Sequence, residues 1–136
     1  VTSYIPDSYI SDSNQKIEIY QDIALCKNEE DIQDIVDELI DRFGNMPDEL
    51  ESLLEIARIK QLATKNFVIK ISNKRESIVF TFENSKFNPQ CIDKLIKKYG
   101  TRIRFSPGIK PMITLRLNNT AESYIIKETK EFLKNL

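Results

Sequence analysis

The sequence predicts an α+β fold, in which three N-terminal helices precede a ββαββα unit with a small, mostly antiparallel sheet. Two observations predict it. As far as about residue 65, apolar residues recur at spacings of three and four, which is typical of amphipathic helices. Beyond Asn66, β-branched and aromatic residues come in short runs, which favour strands.

The length of 136 residues is close to the usual size of one domain. We expect an extended segment over residues 1–12 that leads into a single domain over residues 13–136. The leading segment contains Pro6 and alternates apolar with polar side chains between Tyr4 and Ile10, as an extended arm does. The chain begins without methionine, and we expect it to be a piece of a longer protein.

Caps and apolar spacing predict the three helices. The first covers residues 13–26, and its expected inward side chains are Ile17, Tyr20, Ile23 and Ala24. The second begins after Asn28 and ends before Gly44, and its expected inward side chains are Ile32, Ile35, Val36, Leu39, Ile40 and Phe43. The third runs from Pro47 to about Lys65, and its expected inward side chains are Leu50, Leu53, Leu54, Ala57 and Leu62.

The second half is predicted to form two hairpins, each followed by a helix. Residues 67–71 and 77–82 flank a polar loop at 73–76. A helix from Asn88-Pro89 to Gly100 follows, with an expected inward face of Ile92, Leu95 and Ile96. Strands at 102–105 and 112–117 bracket Pro107-Gly108. Asn118 or Asn119 can cap a last helix, whose expected inward residues are Ala121, Ile125, Phe132 and Leu133.

The composition argues against an enzyme. Histidine is absent, which removes the commonest general base and metal ligand, and the three glycines lie too far apart for a phosphate-binding loop. A metal site formed by Asp34, Asp37, Glu38 and Asp41 is not favoured, because the sequence lacks the loop of calcium sites. We therefore predict no catalytic residue, no cofactor and no metal.

The cysteines and the hydropathy predict a cytoplasmic chain. Cys26 and Cys91 are far apart and outside any CxxC spacing, so we expect two reduced thiols. No apolar run approaches the roughly 20 residues that span a bilayer, and we expect no membrane partner.

The two halves of the chain have opposite charge. Residues 1–55 contain fifteen acids and three bases, a balance of −12, whereas residues 56–136 have a balance of +11. A polarity of this size indicates charged partner surfaces.

Five acids of the second helix form a stripe opposite its apolar face, at about 140–240° from Ile32 on a helical wheel; they are Glu30, Asp34, Asp37, Glu38 and Asp41. Such a stripe is usually a solvated face. However, Glu38 and Asp41 lie in the last two turns, where the helix dipole disfavours a carboxylate by roughly 0.3–1 kcal/mol. We predict that this pair receives arginines of a partner, with Asp34, Asp37 and Arg42 as weaker candidates.

A basic patch is predicted around one helix end and the next strand; it comprises Lys94, Lys97, Lys98, Arg102 and Arg104. Lysines near a helix C-terminus are favoured by the dipole alone. Only Tyr99 and Phe105 offer interleaved aromatic rings, so direct nucleic-acid binding is not favoured. An accessory module that contacts nucleic acid or RNA polymerase through this patch stays open as the alternative function.

The run Glu38-Leu39-Ile40-Asp41-Arg42-Phe43-Gly44, with Pro47 and residues 54–60 after it, resembles the C-terminal domain of the bacterial transcription-repair coupling factors (Mfd). The resemblance covers residues 4–65 well and the remainder by pattern only. It implies a regulatory C-terminal domain of a larger ATP-dependent DNA translocase, which couples stalled RNA polymerase to nucleotide excision repair.

The resemblance also implies a role for this domain. It would pack on the N-terminal UvrB-like module of the parent chain, mask the surface that UvrA binds and restrain the motor. The acids of the family motif, which contact basic residues of that module, fall here on Glu38 and Asp41. The motor itself is outside this chain, so the domain alone is expected not to be an enzyme.

Overall fold

The computed structural model describes residues 3–136 and has three helices followed by ββαββα, which confirms the predicted α+β class. Residues 1 and 2 of the predicted leading segment lie outside the described residues. The helices are α1 (Ser13–Leu25), α2 (Glu29–Phe43), α3 (Asp48–Lys65), α4 (Cys91–Tyr99) and α5 (Glu122–Lys134). The strands are β1 (Val68–Lys74), β2 (Ser77–Phe82), β3 (Ile103–Ser106) and β4 (Met112–Arg116). Among these helices, none has both the length and the apolar character needed to cross a membrane.

The chain divides into two compact units, Val1–Gln61 and Leu62–Leu136. Unit 1 contains α1, α2 and most of α3, and unit 2 contains the sheet with α4 and α5. A single domain over residues 13–136 stays a prediction.

The core of unit 1 includes two residues of the leading segment. It consists of Ile5, Ile10, Ile19, Ile23, Ile32, Ile35, Leu39, Leu50 and Leu54. A turn at residues 7–9 brings Ile5 and Ile10 into this core, and the backbone N–H of Ile10 donates to the carbonyl of Pro6 at 3.1 Å. Because burying an isoleucine contributes about 1.5–3 kcal/mol, the leading segment stabilises the unit on which it packs.

The predicted inward face of α1 is partly wrong. Ile19 and Ile23, four residues apart, are its buried residues, whereas Ile17, Tyr20 and Ala24 are exposed. The predicted face and the observed face of α1 both include Ile23, so the spacing of apolar residues alone does not distinguish them. Tyr20 instead uses its hydroxyl oxygen to accept a hydrogen bond of 2.7 Å from the backbone N–H of Ile5.

The predicted bounds of α2 are confirmed. The Asn28 side chain accepts from the Asp31 N–H at 2.8 Å, and Gly44 follows the helix at φ +86°, a conformation that glycine tolerates. Three of the predicted inward residues, Ile32, Ile35 and Leu39, are buried, and Val36 and Phe43 are half-buried. The prediction for Ile40 is wrong: its side chain is 45% exposed, because it lies at the rim of the apolar arc.

The burial of side chains along α3 agrees with its predicted inward face. Leu50 and Leu54 are buried, and the other three predicted residues, Leu53, Ala57 and Leu62, are half-buried. Pro47 lies one position before the helix, and its carbonyl accepts from the Leu50 N–H at 3.1 Å.

The four strands form one antiparallel sheet with the order β1-β2-β4-β3. The first hairpin turns in only two residues, Arg75 and Glu76. The predicted loop 73–76 is therefore too long, because Asn73 and Lys74 continue the strand and pair with Ile78 and Ser77.

Aromatic stacking joins the sheet of unit 2 to α5. The ring of Phe80 stacks on that of Phe132 at a centroid distance of 4.0 Å, and both side chains are fully buried. Helix α4 contributes Leu95 and Tyr99 to the core. The prediction that Ile96 faces inward is wrong, since its side chain is 49% exposed and the buried Tyr99 occupies the next turn of the inward face.

The start of α5 also differs from the prediction. Ala121, expected in the core, is exposed and precedes the helix, while Phe132 and Leu133 are buried as predicted and Ile125 is half-buried. The Asn119 side chain accepts from the Ala121 N–H at 2.8 Å, so Asn119 holds the turn that leads into α5.

Candidate functional site

The acidic stripe of α2 is exposed along its whole length: Glu30, Asp34, Asp37, Glu38 and Asp41 all face solvent. Other acids of the helix have structural partners at its N-terminal end. Glu29 accepts from Arg58 Nε of α3 at 2.9 Å, and Asp31 accepts from the Lys27 N–H at 3.0 Å. These acids also lie where the helix dipole favours negative charge. The acidity of the first turn is thus explained within unit 1, and that of the last turns is not.

Glu38 forms an ion pair on its own helix. Its carboxylate lies 3.0 Å from Arg42 Nη1, four residues on, and the side chains are 50% and 42% exposed. The Arg42 guanidinium also lies over the Phe43 ring at 5.0 Å from the centroid. A pair of this kind is worth about 0.3–0.5 kcal/mol, so a partner arginine can displace Arg42 at small cost.

Asp41 differs from Glu38 in that its side chain forms no ion pair or hydrogen bond within residues 3–136. It is exposed and lies two residues before the end of α2, where the free carbonyls disfavour negative charge. The adjacent Arg42 pairs with Glu38, and the Asp41 carboxylate forms no ion pair of its own in the part of the chain that the structure describes. Glu30 and Asp34 of the stripe are also exposed and unpaired among the described residues, so Asp41 is distinguished by its place in the last turn, where pairing with an external guanidinium would offset the unfavourable charge.

Ile40, which the sequence analysis placed in the core, adds an exposed apolar side chain to the candidate site. Its exposed side chain lies one turn after Asp37 of the acidic stripe. A partner surface that combines an arginine with an apolar group would match this arrangement, because a guanidinium also stacks on apolar surface. The signal that could have identified Ile40 is its rim position on the helical wheel.

Tyr9 holds the end of α2 that presents this surface. Its hydroxyl lies 2.7 Å from the Gly44 carbonyl and 3.1 Å from the Leu39 carbonyl, and its ring contacts Phe43 at 5.7 Å between centroids. One hydroxyl proton is shared between the two carbonyls at the helix C-terminus. Burial raises the pKa of Tyr9, so the hydroxyl stays protonated. The leading segment thus fixes the geometry of the candidate site, which spacing alone did not indicate.

The described residues contain no group of three acids or thiols placed to hold a metal ion. Cys26 and Cys91 are free thiols, and burial raises the pKa of both. A raised pKa keeps a thiol protonated and weakly nucleophilic near neutral pH.

The five cations of the predicted basic patch differ in their partners within unit 2. Lys94, Lys97 and Lys98 are exposed on α4, but Lys98 Nζ lies 3.0 Å from Glu131 of α5. Arg102 is mostly buried, lies 2.9 Å from Glu128, and donates to the Arg116 carbonyl at 2.9 Å. Two of the five cations are thus used within unit 2, and Arg104 alone among the five lies on a strand.

The contribution of the Arg102–Glu128 pair to the free energy of unfolding is expected to depend on pH. Burial would raise the pKa of Glu128, but hydrogen bonds from Tyr124 and Arg102 outweigh it and lower the pKa. The ionised carboxylate therefore stabilises the fold above its ordinary pKa and loses this effect as the pH falls through the lowered value. We expect Glu128→Gln to lower the free energy of unfolding by about 1 kcal/mol at neutral pH, and by less at about pH 3.

Urea denaturation at several pH values measures this difference. Glu76→Gln is the matched control, since Glu76 is exposed in the β1–β2 turn and forms no ion pair within residues 3–136. Equal losses for Glu128→Gln at neutral and acid pH would rule out the proposed role of the carboxylate charge.

Comparisons with known proteins agree with this architecture. A family model described as the TRCF domain matches residues 1–92. The transcription-repair-coupling factor of Rickettsia prowazekii (strain Madrid E) is 32% identical over 133 residues, which cover 98% of this chain and 12% of that protein. That of Escherichia coli (strain K12) is 38% identical over 103 residues, which cover 75% of this chain and 9% of that protein.

A solved structure extends the similarity to both units. The crystal structure of the C-terminal domain of a transcription-repair coupling factor superposes with a TM-score of 0.87 at 29% identity, covering 99% of this chain and 86% of that chain. The chain spans at most 12% of the length of the two relatives named above. On this similarity of sequence and fold, the chain belongs to the TRCF domain family, the C-terminal domains of transcription-repair coupling factors.

Proposed function

We propose that this chain is a non-enzymatic autoinhibitory domain. It packs on the N-terminal UvrB-like module of its parent chain, masks the surface that UvrA binds and restrains the motor. The parent is an ATP-dependent DNA translocase that couples stalled RNA polymerase to nucleotide excision repair. The observation that carries this proposal is the exposed, uncompensated carboxylate of Asp41 beside Glu38, in the family motif, at the helix end where negative charge is least favoured.

The charge of unit 1 supports an intramolecular clamp that can open. Partly exposed ion pairs are worth about 0.2–1 kcal/mol each, whereas desolvated, hydrogen-bonded pairs can be worth several times more. Glu38 exchanges its contact with Arg42 for one with a partner arginine, and Asp41 gains a contact where it has none. Two such pairs with the apolar contact of Ile40 would hold the domain in place and still allow release when the polymerase or UvrA binds.

Binding in trans tests the proposal. The 136-residue chain and the isolated UvrB-like module are mixed in a calorimeter at low and at high salt. We expect binding that weakens as salt rises, and Asp41→Lys is expected to reduce the affinity by about tenfold, a loss of roughly 1.4 kcal/mol.

Glu18→Lys on α1 is the matched control, because Glu18 is an exposed helical acid outside the stripe and its reversal changes the net charge equally. The proposal fails if the wild-type chain does not bind the module at low salt, or if both variants weaken binding to the same extent.

A further inference from the structure

The sheet of unit 2 has two faces, and its aromatic stacking contacts lie on one of them. Phe80 stacks on Phe132 of α5, and Phe105 stacks on Phe87 at 5.4 Å, so these side chains lie on the covered face. Because side chains alternate along a strand, the register places the other set on the opposite face. This second face, called the open face because its cations are exposed, consists of Lys70, Ser72, Lys74, Ser77, Val79, Thr81, Arg104, Ser106, Met112, Thr114 and Arg116. Thr81 is its one buried member, and it lies at the end of β2 away from Lys74 and Arg116.

The side chains of the open face are mainly basic or hydroxyl-bearing. Its eleven residues include four cations, five hydroxyls and two apolar side chains, with neither an acid nor an aromatic ring. The four cations, Lys70, Lys74, Arg104 and Arg116, are exposed and form no ion pair within residues 3–136. They contrast with Lys98 and Arg102, whose charges are balanced by acids of α5.

The register arranges three of these cations across the sheet. Lys74 pairs with Ser77, and Ser77 with Arg116, so Lys74 and Arg116 lie two strands apart, about 10 Å. Arg104 pairs with Thr114, which precedes Arg116 by two residues, so the two arginines are diagonal neighbours at about 7–8 Å. The three charges therefore form a row that crosses all four strands.

The composition favours a phosphate backbone as the occupant. Arginine, lysine, serine and threonine are among the side chains that contact phosphates in protein–DNA complexes, and all four residue types are present here. A single strand would require aromatic rings for stacking, and the face has none. A protein partner would require an apolar centre, and lysine and serine are depleted at such interfaces, whereas the apolar side chains here are only Val79 and Met112.

We propose that the open face of the sheet binds the phosphate backbone of duplex DNA without reading its bases. The net charge of residues 62–136 is positive by nine, which would draw DNA to this unit. The site shares no residue with the acidic stripe of α2. It differs from the basic patch expected from the sequence, with which it shares only Arg104.

The test measures binding of the 136-residue chain to a fluorescent duplex of about 20 base pairs by anisotropy, from about 50 mM to 200 mM salt. The variant combines Lys74→Gln, Arg104→Gln and Arg116→Gln. Since each phosphate contact contributes about 0.9 to the slope of log K against log salt, we expect the slope to fall by about 2 to 3. At the lowest salt we expect the affinity to fall at least about tenfold.

The control combines Lys94→Gln, Lys97→Gln and Lys127→Gln, which removes three exposed helical lysines and the same charge. It is expected to keep most of the affinity and slope. Absence of binding by the wild type, or equal losses for both triple variants, would overturn the proposal. So would competition by polyglutamate as strong as that by DNA, which would indicate an acidic protein as the partner.

Far-UV circular dichroism checks that the variants are folded. If the triple variant unfolds, the single variant Arg104→Gln takes its place in the binding test. The assay contains neither UvrA nor the UvrB-like module, so its outcome is independent of the clamp.

Discussion

Replacing Glu38 and Asp41 by lysine in the parent protein is expected to raise its affinity for UvrA by roughly tenfold to a hundredfold. Each carboxylate pairs with a basic group of the UvrB-like module in the proposed clamp, and reversal replaces attraction by repulsion. Two such changes at a partly exposed surface amount to about 1–3 kcal/mol. The masked surface then becomes free in a larger fraction of molecules, and the apparent affinity for UvrA rises by that factor.

The matched control is Glu18→Lys with Asp22→Lys on α1. These exposed acids undergo the same change in charge outside the stripe, so they report any general effect of charge on UvrA binding. Circular dichroism checks that α2 stays helical once Glu38 no longer pairs with Arg42. Unchanged UvrA affinity in a folded double variant would reject the clamp, as would an equal rise in the control.

Phe80→Ala is expected to cause the largest loss of stability. Phe80 is fully buried in the centre of the sheet and stacks on Phe132 at 4.0 Å. Truncating a buried phenylalanine costs about 3–5 kcal/mol, because the transfer free energy of the ring is lost and a cavity remains. Since domains are stable by about 5–15 kcal/mol, this loss is a large fraction of the total free energy of unfolding.

Urea denaturation of the 136-residue chain measures the loss. Ile109→Ala is the control: Ile109 is 86% exposed in the β3–β4 loop and its truncation is expected to change stability by less than about 0.5 kcal/mol. A loss below about 1 kcal/mol for Phe80→Ala would contradict the assignment of Phe80 to the core of unit 2.

Elements with strong local signals were predictable from the sequence. The cap at Asn28, the apolar stripe of α2 and the positive φ of Gly44 all lie where spacing and cap chemistry indicate. The family resemblance, stated on residues 4–65, is confirmed and extends further, since the solved domain aligns with 99% of the chain. The motif in α2 was specific enough to identify the family while the β-rich half matched only by pattern.

Features decided by tertiary contacts were not predictable. Spacing does not distinguish Ile17 from Ile19 on α1, because the choice depends on where the leading segment packs. Ile40 and Ile96 lie at the rims of apolar arcs, where the neighbouring element decides exposure. The same applies to the Tyr9 hydroxyl, whose carbonyl partners lie thirty or more residues away.

The charges show the same division between local and tertiary signals. The sequence groups Arg102 with Arg104 because they are close along the chain. In the structure, however, Arg102 precedes β3 and pairs with Glu128 of α5, while Arg104 lies on β3 and shares the open face with Lys74 and Arg116. Strand alternation and the order β1-β2-β4-β3 assemble that row, and strand order was not available from the sequence.

The most direct test of the autoinhibitory role is the affinity of UvrA for the parent protein with and without this domain. The intact parent and a form truncated before this domain are titrated with UvrA under identical salt. Masking predicts that truncation raises the affinity at least as much as the lysine double variant does, because the whole covering surface is removed. Equal affinity for the two forms would contradict the account.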